Sequence, residues 1–84
     1  MRITSLQAIR ILLDGGYIAE ICLNICKARI YKVLSPYNTQ GLSDYITRKQ
    51  FEEMCEAGVI EKCWHNTREK YSDISNLYIL RRSF

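Results

Sequence analysis

The stretch Ser5–Glu20 is echoed by Thr47–Lys62, forty-two positions further along the chain. Ser5 answers Thr47, Ile9 answers Phe51, Leu12 answers Met54, Leu13 answers Cys55, Asp14 answers Glu56, Gly16 answers Gly58 and Ile18 answers Ile60. Each copy reads as a capped amphipathic helix, a glycine stop and an apolar extended run. One such unit alone could not cover its apolar face, so the two must share one body. The chain has 84 residues, 48% apolar and 25% charged, which suits one small folded core and argues against disorder. The expected organisation is a single domain over 1–84, with a pseudo-repeat over 3–34 and 45–82.

Ser5 is the expected N-cap of the first helix, roughly Ser5–Asp14, with Leu6, Ile9, Leu12 and Leu13 at helical spacing and Gly15-Gly16 as its stop. Tyr17–Leu34 carries two patterns. Its isoleucine, valine and tyrosine favour strands over roughly Tyr17–Leu23 and Ala28–Leu34, joined near Asn24–Lys27. Yet Ile18, Ile21, Cys22, Ile25, Arg29 and Val33 also fall at helical spacing. The echo with the short run Val59–Cys63 favours strands. Ser35–Ser43, with Pro36, Asn38 and Gly41, reads as a loop. Thr47 opens a second helix with a capping-box pattern, burying Phe51, Met54 and Cys55 and exposing Glu52, Glu53 and Glu56. Val59–Trp64 and Leu77–Leu80 read as strands around a polar tip, His65–Asn76. The fold class is α+β: two helix–strand–strand units share one antiparallel sheet, with both helices on one face. The alternative is a winged helix with 17–34 helical.

The net charge of +3 is too mild for a dedicated polyanion binder. It is unevenly spread. Met1–Leu34 holds five basic and two acidic residues, Ser35–Val59 two and four, and Ile60–Phe84 five and three. No signal-peptide pattern is visible, and the apolar run Tyr17–Ile25 is interrupted and too short to span a bilayer. A cytoplasmic protein without a membrane partner is expected. Cys22, Cys26, Cys55 and Cys63 are then reduced thiols that behave as small buried hydrophobes.

No phosphate loop, dinucleotide motif or serine elbow is present. Gly15-Gly16 follows a helix and stops it. Cys63 and His65, two apart on a strand, would share a face, as a thiolate and its base require, but a solvated loop histidine is the much stronger reading of His65. Cys22 and Cys26 are four apart and Cys55 and Cys63 eight apart, neither being the tight pair of a zinc site. No enzyme, cofactor or metal is therefore expected.

Thr47–Arg82 resembles the second half of a winged helix. The likeness rests on the capped helix, Gly58-Val59-Ile60-Glu61-Lys62, the charged tip with Arg68 and Lys70, and Leu77-Tyr78-Ile79-Leu80. It implies a helix in the major groove and a hairpin on the DNA backbone. Glu52, Glu53 and Glu56 depart from it, because phosphates would repel them. In size and style the chain also resembles accessory proteins of phages and mobile elements, which implies inhibition of a host defence complex.

The expectation is thus a binding module that occludes a protein partner. Tyr37, Tyr45 and Trp64 would be the buried anchors, and Arg68, Lys70, Arg81 and Arg82 would steer toward an acidic surface. A homodimer through an exposed strand edge is compatible with the sequence. A DNA-binding regulator is the alternative.

Overall fold

The computed structural model describes residues 1–23, 28–36, 44–65 and 74–81. In chain order these form α1 (Ser5–Leu13), β1 (Tyr17–Leu23), β2 (Ala28–Leu34), β3 (Asp44–Ile46), α2 (Arg48–Glu56), β4 (Ile60–His65) and β5 (Ile74–Leu80). The strands make one antiparallel sheet in the order β3-β2-β1-β5-β4. The fold is α+β. Tyr17–Leu34 is a hairpin pairing Tyr17 with Leu34 through to Leu23 with Ala28, so the helical alternative fails, and the winged-helix architecture fails with it. β-Branched and aromatic residues pairing across two strands outweigh the helical spacing. The expected turn at 24–27 lies outside the described residues.

The repeat is real, but its structural register is 43 rather than 42. Thr4, not Ser5, caps α1, and Thr47 caps α2. Each threonine accepts from a backbone N–H three residues on, and Gln7 or Gln50 returns the bond to the threonine N–H. Ser5 has Ala8 three residues on, which cannot reciprocate, so the complete capping box goes to Thr4. At the far ends Gly15 and Gly58 take φ of 96° and 71°, a region that side chains disfavour. Gly16 does a different task from Gly58: a Cβ there would stand 2.5 Å from the Leu34 carbonyl oxygen. At the equivalent place in the second unit Val59 is accommodated. Gly16 and Val59 make the matching bonds, donating to Ile11 at 2.9 Å and to Met54 at 3.0 Å. The second hairpin, β5-β4, then lies beside the first, β2-β1, in the same spatial order.

Both helices pack on one face of the sheet. Ala8 and Leu12 from α1, and Phe51 and Met54 from α2, join Ile18, Tyr31, Val33, Ile46 and Ile60 in one core. The strand members have one parity: Ile18 pairs with Val33 and Tyr78, and Tyr31 with Ile46. Phe51 stacks on Tyr31, with ring centroids 4.2 Å apart, and meets Tyr78 edge-on at 4.8 Å. Such pairs add about 0.5–1.5 kcal/mol to the burial itself. The expected stripes were partly displaced. Ile9 and Leu12 face the core as expected, but Leu6 and Leu13 are 69% and 63% exposed, and Ala8 and Ile11 take their place. Cys55 is also exposed, because Met54 takes the inward position on α2.

Three further boundaries differ from expectation. Asp44–Ile46 forms a short strand paired with Tyr31–Val33. The parallel bridge of Arg2 with Tyr45, through Ile3 and Tyr45 N–H groups, fixes it from the other side. β4 begins at Ile60 rather than Val59, since Val59 donates back to the end of α2. β5 begins at Ile74, three residues before the expected Leu77, so the polar tip is shorter.

Candidate binding face

Alternation along paired strands assigns each residue of the sheet to one of two faces. The face without helices carries three rows. The central row runs across all five strands: Tyr45, Lys32, Ala19, Leu77 and Trp64. Above it Leu34 pairs with Tyr17, and Ile79 with Glu61. Below it Ile30 pairs with Ile21, and Ile21 with Ile74. Nearly every side chain in these rows is apolar or aromatic, and no helix among the described residues covers them. The aliphatic members other than Ala19 are half-buried. Tyr45 and Trp64, on the edge strands, stand out at 42% and 44% exposed. Ala19, in the central strand, is 1% exposed, because larger neighbours flank its single methyl. Small at the centre and large at both ends, the row makes a shallow saddle.

Tyr45, read from the sequence as an anchor beside the central loop, and Trp64, read as an anchor at a strand end, are therefore brought into one row. β4 achieves this with a bulge between Lys62 and Trp64. One extra residue re-aims the following side chain, which places Trp64 opposite Leu77. The same bulge removes the regular alternation on which a shared face for Cys63 and His65 depended. Cys63 is exposed, and its thiol donates to the Leu77 carbonyl at 3.4 Å. Arg81 is not part of this face. It lies at the junction of α2 and β4, donating its N–H to Val59, with its guanidinium beside Gly58. Tyr37, Arg68, Lys70 and Arg82 lie outside the described residues.

The opposite, helix-covered face holds a polar cluster that sequence reasoning did not single out. Glu20, on the central strand, is buried. The Asn76 amide donates to it at 2.6 Å, Tyr31 stands opposite it on β2, and the Arg29 guanidinium is 3.7 Å away. A buried carboxylate needs such partners, since an unpaired charge in a core costs several kcal/mol. The cluster in turn acts on its surroundings. Burial, then the Glu20 charge, push the Tyr78 hydroxyl up to about 12. Burial and Glu20 also raise Tyr31. Partial desolvation, followed by the charges of Glu20, Glu52 and Glu56, raises the thiol of the largely exposed Cys55, which makes it a poorer nucleophile at neutral pH. The thiols of Cys22, Cys55 and Cys63 are free, and Cys22 is half-buried rather than buried. Cys26 lies outside the described residues. Among the described residues no three metal-ligating side chains converge, and no helix is long and apolar enough to cross a membrane.

The missed part of the open face had a visible signal. Tyr17–Leu23 and Ile74–Leu80 are apolar at both parities, which a sheet with one solvated face does not need. No protein-family model, curated protein or solved structure matches this chain.

Proposed function

We propose that this protein is a non-catalytic binding module that occludes a protein partner, and that the open face of its sheet is the surface that grips. One observation carries this: a three-row, mostly apolar face that no helix among the described residues covers, with an exposed aromatic residue at each end of its central row. Contiguous apolar patches of several hundred Å² on a monomer mark interaction sites, and aromatic side chains supply much of their energy. The rows hold five, four and three residues; at about 4.8 Å between strands and about 6.7 Å along them they span a footprint of about 400 Å² before side-chain relief is counted. That is about half of the roughly 800 Å² of accessible surface per partner in a standard interface. The charged face of α2, with Arg48 paired to Glu52 at 2.9 Å, points elsewhere and is solvated.

The test is affinity capture from a lysate of the organism that carries the gene, using three versions of the protein. Leu77→Lys places a charge in the centre of the open face, and Leu13→Lys alters an exposed helix position. The expected result is a specific protein retained by the unaltered chain and by Leu13→Lys but not by Leu77→Lys, with all three folded by circular dichroism. Equal retention by Leu77→Lys, or retention of duplex DNA instead of protein, contradicts the assignment.

A further inference from the structure

The short β3 leaves part of its neighbour open. β1 pairs with β2 along all of Ala28–Leu34, but β3 reaches only Tyr31, Lys32 and Val33. After Ile46 the chain turns away through the Thr47 cap into α2. Among the described residues no strand lies beside Ala28–Ile30 on the side away from β1. A cleft of about 420 Å³ occupies that place, walled by Ile30, Tyr45 and Ile46 and rimmed by Arg29, Lys32 and Arg48. Unpaired strand edges are templates for another strand.

We propose that this cleft takes an extended acidic segment of the partner as an added strand continuing the line of β3. The inference rests on the open face being the binding face, since Ile30, Lys32 and Tyr45 belong to both. The chemistry of the segment follows from alternation. Successive side chains of an added strand point to opposite faces. One that points to the helix side meets the guanidinium groups of Arg29 and Arg48. Each is already within reach of one carboxylate, Glu20 and Glu52, and each keeps further N–H donors in its fork. Its neighbours on either side point to the open face, one beside Ile30 with Tyr45 next along the line, the other beside Ala28. Lys32, with no ion pair among the described residues, adds positive charge on that side. The preferred segment is therefore apolar–acidic–apolar over three residues, about 10 Å of extended chain. Main-chain hydrogen bonds hold it, and the side chains select it.

The test uses the full chain and a fluorescein-labelled, end-blocked peptide Thr-Val-Glu-Val-Thr, read by anisotropy and by amide exchange in NMR. Expected are saturable binding and slowed exchange in Ala28–Ile30. Affinity should fall at least tenfold in Arg48→Glu or in Lys32→Glu, each checked for fold by circular dichroism. It should fall to background when the central peptide amide is N-methylated, which removes the ladder bond but no charge. Leu77→Lys, which lies three strands away, should bind the peptide normally while failing in capture. Equal binding of the N-methylated peptide, or of Thr-Val-Lys-Val-Thr, overturns the proposal. So does concentration-dependent self-association that blocks the peptide, which would assign the edge to a second copy. If no peptide binds but capture still depends on Leu77, the added strand is wrong and the open face stands.

Discussion

The two faces of this sheet are both apolar, yet they are built to different rules. On the helix side, Phe51 wedges between Tyr31 and Tyr78, and even the one buried carboxylate, Glu20, is tied to Asn76. Every group there has a neighbour that fixes it. On the open side the residues touch mainly their own sheet neighbours, and the row from Tyr45 to Trp64 ends in exposed aromatic rings. The contrast teaches that apolar content alone does not mark a core. What marks it is the second layer, and among the described residues only one face carries helices as that layer.

The largest expected effect separates the faces directly. Phe51→Ala removes a buried ring packed on two others, and should cost about 3–5 kcal/mol, measured as a shift of the urea midpoint. Leu77→Ala deletes three carbons from the half-exposed open face, about half as many as the ring, and should cost under about 1 kcal/mol because little covers them. Equal losses would mean that the open face is already packed, and the comparison between faces would collapse.

A smaller effect comes from alkali. The Tyr78 hydroxyl is held neutral by burial and by Glu20, with its titration pushed up to about 12 from the ordinary 10. The folded state therefore keeps this proton more firmly than the unfolded chain does. That contribution is fully present below pH 10 and is lost as pH rises toward 12. Stability measured by denaturant titration should fall across this window, and Tyr78→Phe should flatten the fall. A slope unaffected by Tyr78→Phe would show that the covered face does not hold that hydroxyl as described.

Much of this architecture was legible in the sequence, because short-range chemistry determines it. The helices, the hairpin over Tyr17–Leu34 and the helix–strand–strand repeat follow from caps, glycine stops and β-branched runs. The register of the repeat was misread by one residue, since Gly15 and Gly16 are adjacent and either could match Gly58. Only the capping bonds of Thr4 with Gln7 and the positive φ at Gly15 decide between them. Strand β3 was hidden in a polar stretch, because its three residues are held by pairing with Arg2 and Tyr31–Val33, contacts distant in sequence. The candidate site was legible only in pieces. Tyr45 and Trp64 were singled out for being aromatic, while their shared row depends on sheet order and on a bulge, neither of which leaves a local mark. Glu20 looked like an interruption in an apolar run, and its partner Asn76 lies 56 positions away.

The most direct measurement places a photo-crosslinking amino acid at Trp64, at Tyr45 or at Leu13, one position per protein, and irradiates each in the lysate. If the uncovered sheet surface is where a partner sits, the first two positions yield one common adduct and Leu13 yields none. An adduct from Leu13 alone, or none from either edge of the central row, would contradict that account.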